Sequence, residues 1–331
     1  MTKGQVLVSV LIPARNAEAT VEAAVASMTS QTLRELEVVV VDDGSSDRTA
    51  AIVARLAAAD GRIRLIRCEA LGLTPALNRA LQEARAPWLA RMDADDIAYP
   101  ERLQRQMCLT TEADIIGCGV RIVGAGEGYA RYASWLNGLV THEAMMRERF
   151  VESPLAHPSV LMRRATVREL GGYRDMGWAE DYDLWLRAAR AGARFAKAPQ
   201  VLLDWIDRGD RTSRVDDRYG EEAFYACKAH HLLQGPLAEK RCTIWGAGPG
   251  GTRLGRALRR QGVTITRYID IDQKKIGQMR GGSPVIAVAD IDRSIDVPIL
   301  AAVAVRGARE LVRAELVSRG FVEATDFWCV A

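Results

Sequence analysis

Three apolar runs of strand length, each cut off by a polar cluster, constrain the fold of this chain more than any other feature. Val6 to Ile12 stops at Pro13-Ala14-Arg15-Asn16, and Leu36 to Val41 stops at Asp42-Asp43-Gly44-Ser45-Ser46-Asp47. The third, Trp88 to Met92, stops at Asp93-Ala94-Asp95-Asp96. Helical patterns separate them: periodicity from Glu18 to Gln31, a helix from an Asp47 N-cap to Ala59, and another from Thr74 to Arg85, with a further strand at Ile63 to Arg67. Apolar strands alternating with helices predict an α/β fold with a mostly parallel central sheet wrapped by helices. In such sheets ligands bind at the carboxyl edges of the strands, so the three clusters are expected to line one cleft.

Asp93-Ala94-Asp95-Asp96 is the most demanding of the three, with three carboxylates in four residues directly after a buried strand. Side chains two apart on an extended strand share a face, which predicts that Asp93 and Asp95 converge on one divalent cation. A purely oxygen-donating site suits Mg2+ or Mn2+, ions that also bridge to the phosphates of a substrate. These residues therefore read as a metal-assisted transferase acting on a nucleoside diphosphate compound.

The chain is long enough, at 331 residues, to bury two cores. From about 110 to 215 the strand–helix rhythm breaks into mixed strands, glycine-rich turns and short helices, and a helix then runs from about Asp217 to Leu233. Gly235-Pro236 punctuates its end, so a boundary is predicted near 236 to 240, giving domains 1–236 and 240–331. With 45 basic against 42 acidic side chains, well mixed, there is no electrostatic footprint for nucleic acid. Six scattered cysteines without a Cys-x-x-Cys pair read as small apolar residues in a reducing compartment. The strand pattern starts almost at once, leaving no room for a signal peptide, and no apolar stretch approaches the roughly 20 residues that span a bilayer. A soluble, cytoplasmic protein is expected, with peripheral membrane contact through an acceptor and self-association both left open.

In the last third, Gly246-Ala247-Gly248-Pro249-Gly250-Gly251 follows a strand, Cys242 to Trp245, and opens a helix, Arg253 to Gln261. The next strand, Val263 to Asp270, ends in an acid about 20 residues later, which is the context of a dinucleotide fingerprint. The candidate nucleotide contacts are Gly246, Gly248, Gly251 and Asp270. The unit is short for an oxidoreductase, so nucleotide or nucleotide-sugar binding, a structural or oligomerising module, and NAD-dependent catalysis stand as alternatives. With Tyr268-Ile269-Asp270-Ile271-Asp272, Lys274-Lys275-Ile276-Gly277 and Gly282-Ser283-Pro284-Val285-Ile286, it resembles the small Rossmann-like domains attached to sugar-modifying acyltransferases and other nucleotide-sugar enzymes.

Four motifs in order carry a wider resemblance: Val8 to Asn16, Val40 to Asp47, Met92 to Asp96, and Ala179-Glu180-Asp181-Tyr182-Asp183-Leu184-Trp185. Together they resemble family 2 inverting glycosyltransferases with the GT-A fold. The resemblance implies transfer of a sugar from a nucleoside diphosphate sugar, a UDP-sugar being favoured, to a hydroxyl of a saccharide or lipid-linked acceptor. Polysaccharide or glycolipid synthesis is the implied setting, and Mn2+ or Mg2+ the implied cofactor.

By the same resemblance Asp42 meets the nucleotide base, with Pro13, Ala14 and Arg15 as the adjacent wall. Asp93 faces the ribose or metal shell, Asp95 is the direct metal ligand, Asp96 an auxiliary, and Asp181 the general base. A helix N-terminus is expected to keep Asp181 ionised. His157 reads either as an acceptor or phosphate contact or as structural, and Trp178 either as a stacking platform or as core. The family's mobile loop maps onto Asp207 to Arg214, which reads either as a loop where Arg211 or Arg214 takes over the electrostatic role of a histidine that many relatives carry, or as a merely solvated loop. A sugar nucleotidyltransferase and a non-catalytic nucleotide-sugar scaffold remain the rival readings.

Overall fold

The computed structural model describes residues 5–124, 126–208 and 216–331. It divides into two compact units: Met1–Met145, Pro154–Met176 and Glu180–Arg211 in the first, Met146–Ser153, Gly177–Ala179 and Thr212–Ala331 in the second. The strands of the first unit are β1 (Val8–Ala14), β2 (Leu36–Asp43), β3 (Ile63–Cys68), β4 (Trp88–Arg91), β5 (Ile97–Ala98), β6 (Ile115–Val123), β7 (Leu161–Arg163) and β8 (Phe195–Ile206). They form one sheet in the order β3-β2-β1-β4-β7-β6-β8-β5. The β3-β2-β1-β4 half is parallel, whereas β7 runs antiparallel to both β4 and β6.

All of β1 and β2 is buried because helices cover both faces. Val8, Val10 and Ile12 share a core with Val21, Val25 and Met28 of the helix Val21–Thr29, while the helix Leu73–Glu83 lies against β1 and β2 as well. Pro13 does not end β1, contrary to the sequence expectation. β4 stops at Arg91, opposite Leu11, so beyond that point β1 is paired only with β2, and an edge position tolerates a proline. The helix expected from Asp47 starts at Thr49, and Asp47 accepts from the Thr49 N–H (2.9 Å) to close its first turn.

The second unit holds β9 (Arg241–Trp245), β10 (Thr264–Ile269), β11 (Met279–Arg280), β12 (Ser283–Ile286), β13 (Ile299–Ala301) and β14 (Phe327–Cys329). Their order is β11-β12-β10-β9-β13-β14, parallel apart from the β11–β12 hairpin, which is a Rossmann-like layout. The helix Glu221–Leu233 packs on the helix Pro249–Arg260 and belongs to this unit. Within it, the buried Glu148 carboxylate meets Arg309 (3.1 Å) and Arg313 (2.5 Å), and the buried Lys228 ammonium donates to the Val151 and Val330 carbonyls. None of the six cysteines is in a disulfide; Cys118, Cys227, Cys242 and Cys329 are buried. Among the described residues no helix is long and apolar enough to cross a membrane.

Candidate active site

The strand tips of the first unit carry the acids. In the β1–β2 register Ala14 lies beside Asp42, and the turns after the two strands are tied together: the Asn16 amide oxygen accepts from the Ser46 N–H (2.9 Å). Asp42 and Asp43 are both 4 % exposed, yet they differ in what they touch. Asp43 is spent on structure, accepting from the Leu71 and Gly72 N–H groups and lying 3.7 Å from the Arg15 guanidinium. Asp42 Oδ1 is buried without a hydrogen-bond partner. Such an acceptor is costly unless something with a donor occupies the space before it. Gly44 makes the turn: its φ is +64°, and a Cβ there would come within 2.7 Å of the Ala70 nitrogen.

The third acidic cluster arises by a route other than the one expected. β4 ends at Arg91, and Asp93 to Asp96 form a turn rather than a strand tip with alternating side chains. The turn draws in all three acids: carboxylate oxygens of Asp93, Asp95 and Asp96 lie within 4.8 Å of one another. Asp96 is fully buried and accepts from the Ile206 N–H (2.8 Å), which fixes the turn to β8. Three hard oxygen donors at this spacing are a chemical fit for Mg2+ or Mn2+.

The helix Glu180–Arg190 opens with Glu180, Asp181 and Asp183 in its first turn. Asp183 is committed to Arg187 one turn on (2.6 Å), whose guanidinium also donates to the Leu170 and Gly172 carbonyls. Asp181 is different. Burial, and then the neighbouring Glu180 charge, push its carboxyl up to about 7, against the opposing pull of the Tyr182 N–H and of Arg91. The helix N-terminus was expected to keep this group ionised, and here desolvation and a like charge outweigh it.

Beneath these acids lie groups that sequence reasoning missed. Arg91 is 2 % exposed, and its Nη1 is 2.5 Å from Asp93 Oδ1. Burial works against its charge, but Asp93 holds the guanidinium above its ordinary value. Arg102, also fully buried, donates to the Arg91 carbonyl (2.8 Å) and so braces the end of β4. His157 is buried, its Nε2 3.0 Å from the Tyr173 hydroxyl and its Nδ1 3.6 Å from Glu180. Burial, with Arg91 adding to it, holds the ring well below the ordinary histidine range, hence neutral. The available sequence signal was Arg91 itself, a cation inside an otherwise apolar strand.

Pro13, Ala14, Arg15, Asp42, Asp93, Asp95 and Asp181 thus all belong to the first unit, and Arg91 links Asp93 electrostatically to the Glu180–Asp181 pair. Trp178 belongs to the second unit, its ring 5.2 Å from that of His230. Arg211 and Arg214 lie outside the described residues.

In the second unit the glycine-rich turn is shaped by packing. A Cβ on Gly246 would meet the Ala302 carbonyl at 2.8 Å and one on Gly251 the Gly246 carbonyl at 1.9 Å, whereas Gly248 faces open space. Asp270 accepts from the Ala247 and Asp272 N–H groups and from Lys275 (3.0 Å), contacts that lower its pKa despite its burial.

Residues 9–171 match the family model described as "Glycosyl transferase family 2". A curated "Uncharacterized glycosyltransferase" of Haemophilus influenzae (strain ATCC 51907 / DSM 11121 / KW20 / Rd) is 31 % identical over 242 residues, 68 % of this chain and 73 % of that protein. Among solved structures, S. aureus TarS 1-349 in complex with UDP-GlcNAc superimposes with a TM-score of 0.57 at 20 % identity, covering 77 % of this chain and 72 % of that one. The mannosyltransferase PcManGT from Pyrobaculum calidifontis, in complex with GDP-Man and Mn2+, gives 0.52 at 22 % identity, covering 78 % and 70 %. At such identities the two structures speak for the fold, which is GT-A.

Proposed function

The chain belongs to glycosyl transferase family 2 and is a glycosyltransferase, and we propose that it transfers sugar from a nucleoside diphosphate sugar to a hydroxyl acceptor with inversion. A UDP-sugar is the favoured donor and a saccharide or lipid-linked molecule the acceptor, in polysaccharide or glycolipid synthesis. The observation that carries this reading is Asp181, a carboxyl pushed up to about 7 in the same unit as an acidic turn. A base titrating near the working pH is ionised often enough to act and still binds a proton usefully.

Asp42, whose buried Oδ1 lacks a partner, is assigned to the N–H of the nucleotide base, with Pro13, Ala14 and Arg15 as the wall beside it. Asp95, together with Asp93, would hold Mn2+ or Mg2+, and a cation bound there supplies electrostatic stabilisation of the departing diphosphate. TarS with UDP-GlcNAc and the mannosyltransferase with GDP-Man and Mn2+ support the donor class and the metal by likeness. Asp181 takes the proton from the acceptor hydroxyl as that oxygen bonds to the anomeric carbon. The bond from that carbon to the diphosphate oxygen breaks on the opposite face, so one displacement inverts the centre. Because Asp270 is occupied by its own turn, the second unit is read as a structural module.

Asp181→Asn tests the assignment. Transfer should fall by about 100- to 10,000-fold, the usual worth of a general base, while calorimetric binding of UDP in the presence of MnCl2 stays within about threefold of the native protein, about 0.7 kcal/mol. Unchanged transfer would remove Asp181 as the base.

A further inference from the structure

Five acids of the first unit, Asp93, Asp95, Asp96, Glu180 and Asp181, are set about one buried arginine or in the turn that it contacts. Like charges brought out of water repel strongly unless a counter-charge is placed among them. Arg91 is that counter-charge by position: it sits on the last residue of β4, two residues before Asp93, and is held there by burial on all sides. Its Nη1 lies 2.5 Å from Asp93 Oδ1, a close ion pair that ties this carboxylate to the end of β4, while Nε and Nη1 of the buried guanidinium are without a hydrogen-bond partner among the described residues. Arg102 fixes the Arg91 main chain through its carbonyl, so the guanidinium cannot drift with the turn. The same charge faces Glu180, and His157, whose Nδ1 is 3.6 Å from Glu180, is neutral.

We propose that Arg91 is a positioning residue of this site: its guanidinium fixes the Asp93 carboxylate and places a permanent positive charge beneath the turn acids and the Glu180–Asp181 pair. The inference rests on the donor-and-metal reading of the acidic turn. Lysine keeps the charge but lacks the planar fork of guanidinium N–H donors, so the two parts of the role separate by substitution.

The test uses the full chain with Arg91→Lys, Arg91→Met, Asp93→Asn and the Arg91→Lys/Asp93→Asn pair, probed by calorimetry with UDP and MnCl2 and by the pH dependence of transfer. Arg91→Lys and Asp93→Asn should each weaken Mn2+–UDP binding by about tenfold, and the double variant should be no worse than the weaker single one, because residues that act through one contact are not additive. Arg91→Met should move the acid limb of kcat to higher pH, since Asp181 loses a cation while Glu180 still faces it, with Tyr173 and His157 uncharged there; Arg91→Lys should leave the limb in place. A structural role alone moves neither the limb nor the cycle. Additive losses in the Lys cycle, or an Arg91→Met limb at the native pH, overturn the proposal, and if Arg91→Met does not fold the Lys cycle decides. Failure of the native protein to bind Mn2+–UDP would instead overturn the functional reading beneath it.

Discussion

Replacing Asp181 by Asn should make the protein more stable at pH 8 while transfer falls as expected for loss of a general base. Burial and Glu180 raise the carboxyl from 3.8 to about 7 in the folded chain. A carboxyl raised in the folded state contributes stability that is complete below its unfolded value and is lost as pH rises through its folded one. Moving from 3.8 to about 7 at about 1.4 kcal/mol per tenfold change in proton affinity makes the full loss about 4 kcal/mol. That figure is an upper bound, because a site that rearranges or admits water lowers it. Asn has the same shape and no charge to strand, so it escapes the loss. Urea unfolding from pH 4 to pH 8 in EDTA should therefore show the two proteins near-equal at pH 4 and the Asn variant ahead by up to about 4 kcal/mol at pH 8. The gap should open between pH 4 and pH 7 and stay constant above. A gap that does not change with pH, or an Asn variant less stable at pH 8, would refute the claim that Asp181 is held protonated by its surroundings.

Two other substitutions probe the remaining pieces. Asp42→Ala removes a buried acceptor that has no partner, so folding stability should change little while UDP binding by calorimetry weakens about 10- to 100-fold, the worth of one hydrogen bond to a charged group. Gly251→Ala puts a methyl 1.9 Å from the Gly246 carbonyl and should cost about 1–3 kcal/mol in thermal unfolding, whereas Gly248→Ala meets nothing within 4 Å and should cost under about 1 kcal/mol.

The parallel half of the first sheet was legible because both of its faces are buried. A strand covered on two sides must be apolar at nearly every position, and β1 and β2 are, so they stand out without any alternation to detect. The acidic tips were legible for the complementary reason, since carboxylates directly after such strands have few structural explanations. What failed was the local geometry. Asp93 and Asp95 looked like neighbours on one strand face, but β4 ends two residues earlier and a turn gathers the acids instead. Pro13 looked like a terminator because the extent of β4, which leaves β1 paired on one side there, is a property of pairing and not of the Pro13 segment. In the second unit the glycine pattern and the close approach of carbonyls at Gly246 and Gly251 are equally what a nucleotide-binding turn and a packed structural turn need, so sequence could not choose between them.

The electrostatics of the site were hidden from sequence for a deeper reason. Whether Asp181 is a strong or a weak acid depends on two opposed terms, the helix N-terminus that favours charge and the burial and Glu180 that oppose it. The helix N-terminus and the adjacent Glu180 are readable from order along the chain; the burial depends on what the fold stacks above and around the group. Arg91 enters through the same door. From sequence it is a charge intruding on a strand, and only the register of β4 with β1 and the return of the chain at residues 157–181 put it under both halves of the site. A residue that lies outside the acidic motifs can therefore act on them: buried Arg91 couples to Asp93 and Glu180, and buried Arg102 to Asp96.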